Sequence, residues 1–179
     1  MLRITGTIEG VAPILFSRMY DQASLEGPGG PPAMADRLKE PWLKCHRDEH
    51  GIYIPGGMFK QAILGGAKAG DVKKGKRSWA TLLEALVFPE SHLYLSKENF
   101  DDVFEHWGRR PPKTGGAMII RYPRVALGWR ADFRLVCTLD DATAAEAVRR
   151  SIEAAGLLVG MGSWRPEYGR FVLVDYGVA

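Results

Sequence analysis

The residue types best suited to binding chemistry lie near the end of the sequence, in a predicted glycine-rich loop of residues 156–171. Its spaced glycines permit backbone conformations that other residues resist: Gly160, Gly162 and Gly169. Trp164 and Tyr168 offer flat aromatic rings that can stack on nucleobases. Arg165 and Arg170 offer planar guanidinium groups that pair with phosphate. The composition is equally typical of a loop that binds single-stranded nucleic acid and of a loop whose two rings close the edge of the core.

A second candidate anion site is the turn at residues 55–57, which precedes a predicted helix over 57–70. Backbone N–H groups and the positive end of the helix dipole meet at such a helix start, and Lys60 lies in its first turn. A basic run follows the helix, and its candidate nucleic-acid contacts are Lys73, Lys74, Lys76 and Arg77. Taken alone, that run is more typical of a solvated basic loop than of a binding site.

Arginine is dense in residues 109–134, where two stretches of alternating apolar and polar residues predict an Arg-rich hairpin with its turn at Gly128. Arg121 and Arg124 are its candidate nucleic-acid contacts. Most acidic side chains lie in other segments, so the net charge of +3 is unevenly distributed. This segregation indicates either a polyanion partner or two solvated faces, and charge alone does not choose between them.

Two histidines, His46 and His50, are candidates for acid–base catalysis because histidine titrates near neutral pH. They lie in a polar stretch, where histidines are common, so catalysis is the minority interpretation. Cys45 precedes them, but no fourth ligand for a metal ion is apparent, and we predict neither a metal site nor a cofactor. The acidic pair Asp101 and Asp102 is interpreted as the cap of a helix start.

The elements that would position these groups can be read from the periodicity of the sequence. Residues 2–10 alternate between apolar and polar side chains, which predicts a half-buried strand. After a long insert (about 17–51), the sequence predicts helices over 57–70, 78–88 (with Ser78 as its N-cap) and 142–156. Several strands lie between the second and third helices, and a last strand is predicted over 170–177. This order predicts an α+β, ferredoxin-like fold (βαββαβ), an antiparallel sheet with its helices on one face.

Two segments of the chain resemble one known family. The stretch IPGGMFKQAILGGAK (54–68), which follows the long insert, resembles the helix-start segment of RAMP proteins, the repeat-associated family that includes the backbone subunits of CRISPR effector complexes. The stretch GLLVGMGSWRPEYGRFVLV (156–174) is similar to the C-terminal glycine-rich loop of that family. Together they cover about a fifth of the 179 residues, and compact relatives of this kind occur among bacterial and phage proteins.

The resemblance implies a ferredoxin-like core that binds single-stranded RNA along its sheet and loops, often in a filament of stacked subunits. It assigns contacts to the loop glycines and to the helix start, namely Gly160, Gly162, Gly169, Pro55, Gly56, Gly57 and Lys60. It also implies that the insert (17–51) and the Arg-rich hairpin (109–134) are arms that grip a neighbouring subunit or a nucleic acid.

The composition, with 46% apolar and 25% charged residues, is that of one globular domain over residues 1–179. No apolar run reaches bilayer-spanning length and the opening residues lack a signal peptide's apolar core, so we expect a cytoplasmic protein without a membrane partner. We predict a non-catalytic protein that binds single-stranded nucleic acid, RNA before DNA, and that forms a helical oligomer or assembles with other subunits. Two alternatives stay open: a metal-independent endoribonuclease that uses His46 or His50, and a structural or assembly protein of a phage or defence system.

Overall fold

The computed structural model describes residues 1–18, 41–109 and 117–179. The middle of the predicted insert (19–40) and part of the predicted Arg-rich hairpin (110–116) lie outside the described residues. The elements in chain order are β1 (Leu2–Gly10), β2 (Ile14–Leu15), a 3-10 turn (Pro41–Lys44), β3 (Arg47–Asp48), β4 (Gly51–Ile54), α1 (Gly56–Ala69), β5 (Lys73–Lys74), β6 (Arg77–Ser78), α2 (Trp79–Leu86), β7 (Val87–Pro89), β8 (Leu93–Tyr94), β9 (Asp102–Arg109), β10 (Ala117–Val125), β11 (Arg130–Cys137), α3 (Ala142–Ala154), a π-helical turn (Ala155–Val159) and β12 (Phe171–Val178).

The largest sheet is antiparallel throughout and has the strand order β12-β1-β11-β7. Its strand β1 alternates as the sequence predicts, because Ile4 and Ile8 are fully buried whereas Arg3 and Thr5 are exposed. One face of the sheet therefore belongs to the core and the other faces solvent. The predicted α+β class with an antiparallel sheet is confirmed.

Helices α1 and α3 pack against the buried face of this sheet and against each other. Phe59 of α1 lies with its ring centre 5.1 Å from that of Phe133 on β11, and Ile152 of α3 is fully buried. The helices approach closely at Gly66, where an added Cβ atom would overlap the backbone carbonyl of Ser151. Apolar stripes at helical spacing thus place both helices as the sequence predicts.

The Arg-rich segment folds differently from the predicted hairpin. Strand β10 pairs with β9 and β2, whereas β11 pairs with β1 and β7 in the largest sheet. The predicted pairing across Gly128 is therefore wrong. The reason is burial: between β1 and β7, the apolar face of β11 is covered by the helices, as the contact of Phe133 with α1 shows. In a two-stranded hairpin with β10 that face would lack this cover.

Strand β9 is the longest strand that the sequence analysis missed. Asp102 begins β9 and Asp101 directly precedes it, so the interpretation of this pair as a helix start is wrong. Asp101 instead accepts hydrogen bonds from the backbone N–H of Ala126 (2.8 Å) and from Lys97 Nζ (2.8 Å). We refer to β9 with β10 as the arm.

The predicted glycine-rich loop is shorter than its sequence boundaries. Helix α3 passes into the π-helical turn, which continues to Val159, so Gly156 is not a helix stop. The remaining segment, residues 160–170, is called the Trp164 loop below. At the other end of α3, the Asp141 side chain accepts the backbone N–H of Thr143 (2.9 Å) and caps the helix. None of the described helices is long and apolar enough to cross a membrane.

Candidate nucleic-acid interface

The Trp164 loop is fixed to the protein at both ends. Met161 is fully buried, and its N–H donates to the carbonyl of Gly169 (2.9 Å). Gly169 in turn donates its N–H to the carbonyl of Pro13 (2.8 Å), and Ser163 donates to the carbonyl of Leu15 on β2 (2.8 Å). These bonds close the loop on itself and hold its middle at the surface.

The loop glycines set the backbone geometry. Gly160, Gly162 and Gly169 have φ angles of +70°, +79° and +73°, in the left-handed region that side chains disfavour. At Gly169, which is buried, an added Cβ atom would also overlap the backbone of Met161. Their role in shaping the loop follows from the structure, whereas direct contact with RNA stays a prediction.

Trp164 is a bulky residue at a φ of +59°, a conformation that costs a non-glycine residue about 1–2 kcal/mol. Its ring centre lies 4.2 Å from that of His106, 6.1 Å from Phe104 and 6.2 Å from Tyr122, all on the arm. The side chain is still 37% exposed. Tyr168 is half-buried, with its ring centre 5.4 Å from that of Phe104. The two rings thus rest on the arm rather than in the buried core.

The loop arginines are available for an anion. Arg165 and Arg170 are both exposed. Over residues 1–18, 41–109 and 117–179, no carboxylate lies within ion-pair distance of either guanidinium. The Trp164 loop therefore carries two exposed cations and an exposed indole, a combination that single-stranded nucleic-acid sites use.

The two predicted contacts on the arm are already paired with acids. Arg121 Nε lies 2.7 Å from Glu105 Oε1, and Arg124 binds both carboxylate oxygens of Asp102, each pair bridging β9 and β10. The hydrogen bond from Arg124 lowers the pKa of Asp102, so the pair is charged at neutral pH. A phosphate would have to compete with these carboxylates for either arginine.

Two residues beside the loop were missed by sequence reasoning. Lys44 is almost fully buried, donates from Nζ to the carbonyl of Arg121 (2.7 Å) and lies 5.2 Å from the ring centre of Tyr122. Burial lowers the pKa of Lys44. His106 lies two residues after Phe104 on β9, so both rings are on the face of the strand that meets Trp164, and His106 would have been found if that strand had been recognised. For Lys44 the sequence carried no signal beyond a single lysine after two apolar residues.

At the start of α1, the predicted anion site is partly engaged within the protein. Gly56 donates its N–H to His92 Nδ1 at 3.4 Å. Lys60 donates from Nζ to the carbonyl of Glu84 (2.7 Å) and lies 4.5 Å from the ring centre of Phe88. The predicted role of Lys60 as a nucleic-acid contact would require it to leave both partners.

Strands β5 and β6 form a basic hairpin in place of the predicted basic loop. Lys73 pairs with Asp71 at 2.7 Å, and Lys74 Nζ lies 5.2 Å from the ring centre of Trp79. The remaining two predicted contacts, Lys76 and Arg77, are exposed.

The basic hairpin and the Trp164 loop are separate groups of predicted contacts. The pKa of Asp141, the N-cap of α3, is lowered first by hydrogen bonds from Thr143 and then by the charge of Lys74 in the hairpin. The Trp164 loop follows the C-terminal end of the same helix. Within the part of the chain that the structure describes, no hydrogen bond or ion pair joins the hairpin to the loop.

The first candidate catalytic histidine, His46, lies half-buried with its ring centre 5.7 Å from that of Tyr53 and 6.5 Å from that of Phe16. Burial lowers the pKa of His46, and the charges of Arg18 and His92 lower it further. The imidazole is therefore neutral at neutral pH. Tyr53 in turn stacks on His92, with ring centres 4.4 Å apart, a partner that the sequence did not indicate.

The second candidate, His50, lies exposed between β3 and β4, with Nε2 3.5 Å from Glu49 Oε1. Burial raises the pKa of Cys45 to about 12, which keeps it a neutral thiol. Among the described residues, no three His, Cys, Asp or Glu side chains are close enough together to hold a metal ion.

Comparison with known proteins identifies the fold. No protein-family model and no curated protein matches the chain. The chain is similar to one in the cryo-EM structure of type III-B Cmr-β bound to cognate target RNA, with a TM-score of 0.60 and 13% identity, covering 99% of this chain and 60% of that one. It is also similar to Cmr6 from Pyrococcus furiosus, with a TM-score of 0.51 and 12% identity, covering 97% of this chain and 99% of that one. The chain therefore spans about three fifths of the length of the Cmr-β chain that it matches. At the level of the fold, its resemblance to RAMP proteins is confirmed.

Proposed function

We propose that this protein is a non-catalytic subunit that binds single-stranded nucleic acid, RNA before DNA, through the Trp164 loop. The observation that carries the proposal is the exposed indole of Trp164 in the same anchored loop as two exposed arginines, Arg165 and Arg170, that have no acidic partner among the described residues. Stacking of one base on an aromatic ring contributes about 1–3 kcal/mol, and arginine–phosphate contacts add a salt-dependent attraction.

The fold supports the finer assignments. In a split β-α-β domain the last strand of the sheet lies beside the first, as β12 lies beside β1 here. In the chain, α1 comes between β1 and β7, and α3 comes between β11 and β12. We infer a ferredoxin-like core from this order. The Cmr-β structure is bound to cognate target RNA, which supports RNA as the ligand. Assembly with other subunits or into a helical oligomer is part of the same proposal.

A salt titration tests the proposal. A labelled single-stranded RNA of about a dozen nucleotides is titrated with the protein, and binding is followed by fluorescence anisotropy between about 50 and 200 mM salt. Affinity is expected to fall steadily as salt rises. In Arg165→Ala/Arg170→Ala, the slope of log affinity against log salt should be shallower by about 0.7 for each lost phosphate contact.

The matched control, Arg149→Ala/Arg150→Ala, also removes two positive charges, but from the exposed side of α3. This control should keep most of the affinity and of the slope. Binding that is absent at low salt, or that does not respond to salt, would contradict the proposal. So would a control variant that binds as weakly as the loop variant.

RNA cleavage is a second candidate, favoured by one observation. The lowered pKa of His46 keeps its half-buried imidazole neutral, so the ring can accept a proton, and it lies next to the ring of Tyr53. Incubation of labelled hairpin RNA with the protein in EDTA tests it, with His46→Asn and His50→Asn as the variants. RNA that stays intact with the unmodified protein excludes cleavage.

The third function, an assembly protein, has its own test. It would be favoured if the protein forms oligomers without nucleic acid and these oligomers bind none.

A further inference from the structure

An open groove of about 740 Å³ lies beside the Trp164 loop, within the range of about 300–1,000 Å³ typical of small-ligand sites. Its lining combines the aromatic rings of Tyr122 and Trp164 with the aliphatic side chains of Leu158 and Val159. Leu158 is 52% and Trp164 37% exposed, so aliphatic and aromatic surfaces both face solvent in this groove.

We propose that this groove binds one unstacked nucleobase of the strand held by the Trp164 loop, an inference that rests on the proposed function. A nucleobase has two apolar faces and a polar edge. The indole of Trp164 and the side chain of Leu158 suit the faces, and the hydroxyl groups of Ser17 and Ser163, which also line the groove, suit the edge.

The same groove borders a cradle for the phosphate attached to that base. The N–H groups of Gly162, Trp164 and Arg165 donate to no acceptor among the described residues, whereas the N–H of Ser163 between them donates to Leu15. The N–H groups of Trp164 and Arg165 are successive, and the positive φ angle of Trp164 is typical of turns whose successive N–H groups bind an anion. The side chain of Arg165 lines the groove as well.

This combination identifies the occupant as a nucleotide rather than an apolar peptide. The concavity is apolar where a base would lie. Where a phosphate would lie, it has the cationic side chain of Arg165 and N–H donors without an acceptor among the described residues. Bases in a duplex are already stacked and paired, so only an unpaired base can enter without an unstacking cost. The groove therefore gives the Trp164 loop a preference for single strands that charge alone does not supply.

The test separates the base from the phosphate. Oligouridylate and a fully abasic ribose-phosphate strand of equal length and charge are titrated with the full chain by fluorescence anisotropy. The protein is expected to bind the base-bearing strand at least about fivefold more tightly, the smallest effect typical of one stacked base. Trp164→Ala and Leu158→Ser should bring this ratio close to one.

Leu157→Ser is the matched control. Leu157 is the preceding residue, is 60% exposed and is not part of the groove lining, so its replacement should leave the ratio unchanged. Equal affinity of the unmodified protein for the two strands would overturn the groove assignment while the proposed function stood on phosphate contacts. Equal loss of the ratio in Leu157→Ser and Leu158→Ser would also overturn it. Absence of binding to both strands would instead overturn the proposed function.

Discussion

Two basic regions of the chain, the Trp164 loop and the basic hairpin, carry similar side chains in different surroundings. The loop is hydrogen-bonded to Leu15 on β2 and to Pro13, which precedes β2. Its exposed indole rests on the rings of Phe104 and His106 of the arm. The basic hairpin has two strands of two residues each, and two of its lysines are engaged by Asp71 and Trp79. Within the described residues, no hydrogen bond or ion pair joins the two regions.

The comparison shows that positive charge in a sequence does not locate an interface. A cation adds to phosphate binding when it is not already paired and when the backbone beneath it is fixed, because ordering a mobile side chain or loop costs free energy. The Trp164 loop meets both conditions, and it adds an aromatic surface. We expect the loop to select single strands and the hairpin to add only a weak, salt-dependent attraction.

The largest expected effect comes from an alanine at a crowded loop glycine. Gly169→Ala should lower the free energy of unfolding by about 3 kcal/mol or more, because the new Cβ overlaps the backbone of Met161 at a positive φ. In the basic hairpin, Gly75 also has a positive φ (+63°) but open space around it, so Gly75→Ala should cost about 1–2 kcal/mol. Urea unfolding measures both, and equal losses would remove the structural distinction between the regions.

The next largest effect concerns the exposed indole. Trp164→Ala should weaken binding of single-stranded RNA by about 1–3 kcal/mol, or about 5- to 150-fold, since one stacking surface is lost. Trp107 on the arm is 69% exposed, but no described aromatic ring lies against it, and Trp107→Ala should change affinity little. Anisotropy titrations compare the two. A greater loss in Trp107→Ala would place the stacking surface on the arm instead.

A smaller effect on RNA binding is expected when two positive charges are removed, from either the Trp164 loop or the basic hairpin. Arg165→Ala/Arg170→Ala should weaken RNA binding about tenfold, as the loss of charged hydrogen bonds to phosphate predicts. Lys76→Ala/Arg77→Ala removes two exposed cations from the basic hairpin and should weaken it by less than about threefold. Both variants are titrated at one low salt concentration. The reverse order would move the interface to the basic hairpin.

The smallest effect is a pH dependence that the Trp164 loop should show and the basic hairpin should not. His46 packs against Phe16, which directly follows β2, the strand that anchors the loop. Burial, and then Arg18 and His92, lower the pKa of His46, so the unfolded chain takes up a proton at a higher pH than the folded one. The free energy of unfolding should therefore be largest above the ordinary histidine pKa of about 6.5 and fall as the pH drops below it.

Urea unfolding above and below that pKa measures this dependence, with His46→Gln as the variant that should lose part of it. Hydrogen exchange followed by NMR should show the amides of β2 and the Trp164 loop losing protection at the lower pH, while those of the basic hairpin do not. An unchanged pH dependence in His46→Gln would show that another group is responsible.

Much of the fold was predictable because it depends on local periodicity. The alternation of Ile4 and Ile8 with Arg3 and Thr5 predicts β1, and the apolar stripes predict α1 and α3. The exposed position of Trp164 was one of two equal alternatives, and only the structure chose between them. Strand β9 escaped detection because its acidic start was typical of a helix cap, and with it His106, the ring nearest the indole among the described residues, escaped too.

The sequence by itself determined which residues alternate, which glycines free the backbone and where the cations lie along the chain. Only the tertiary structure decided that β11 pairs with β1, that Arg121 and Arg124 face carboxylates, and that Trp164 borders a groove with Leu158. The physical reason is range. Periodicity acts between residues a few positions apart, whereas pairing, neutralisation and cavity shape depend on distant segments that meet only when the core is buried.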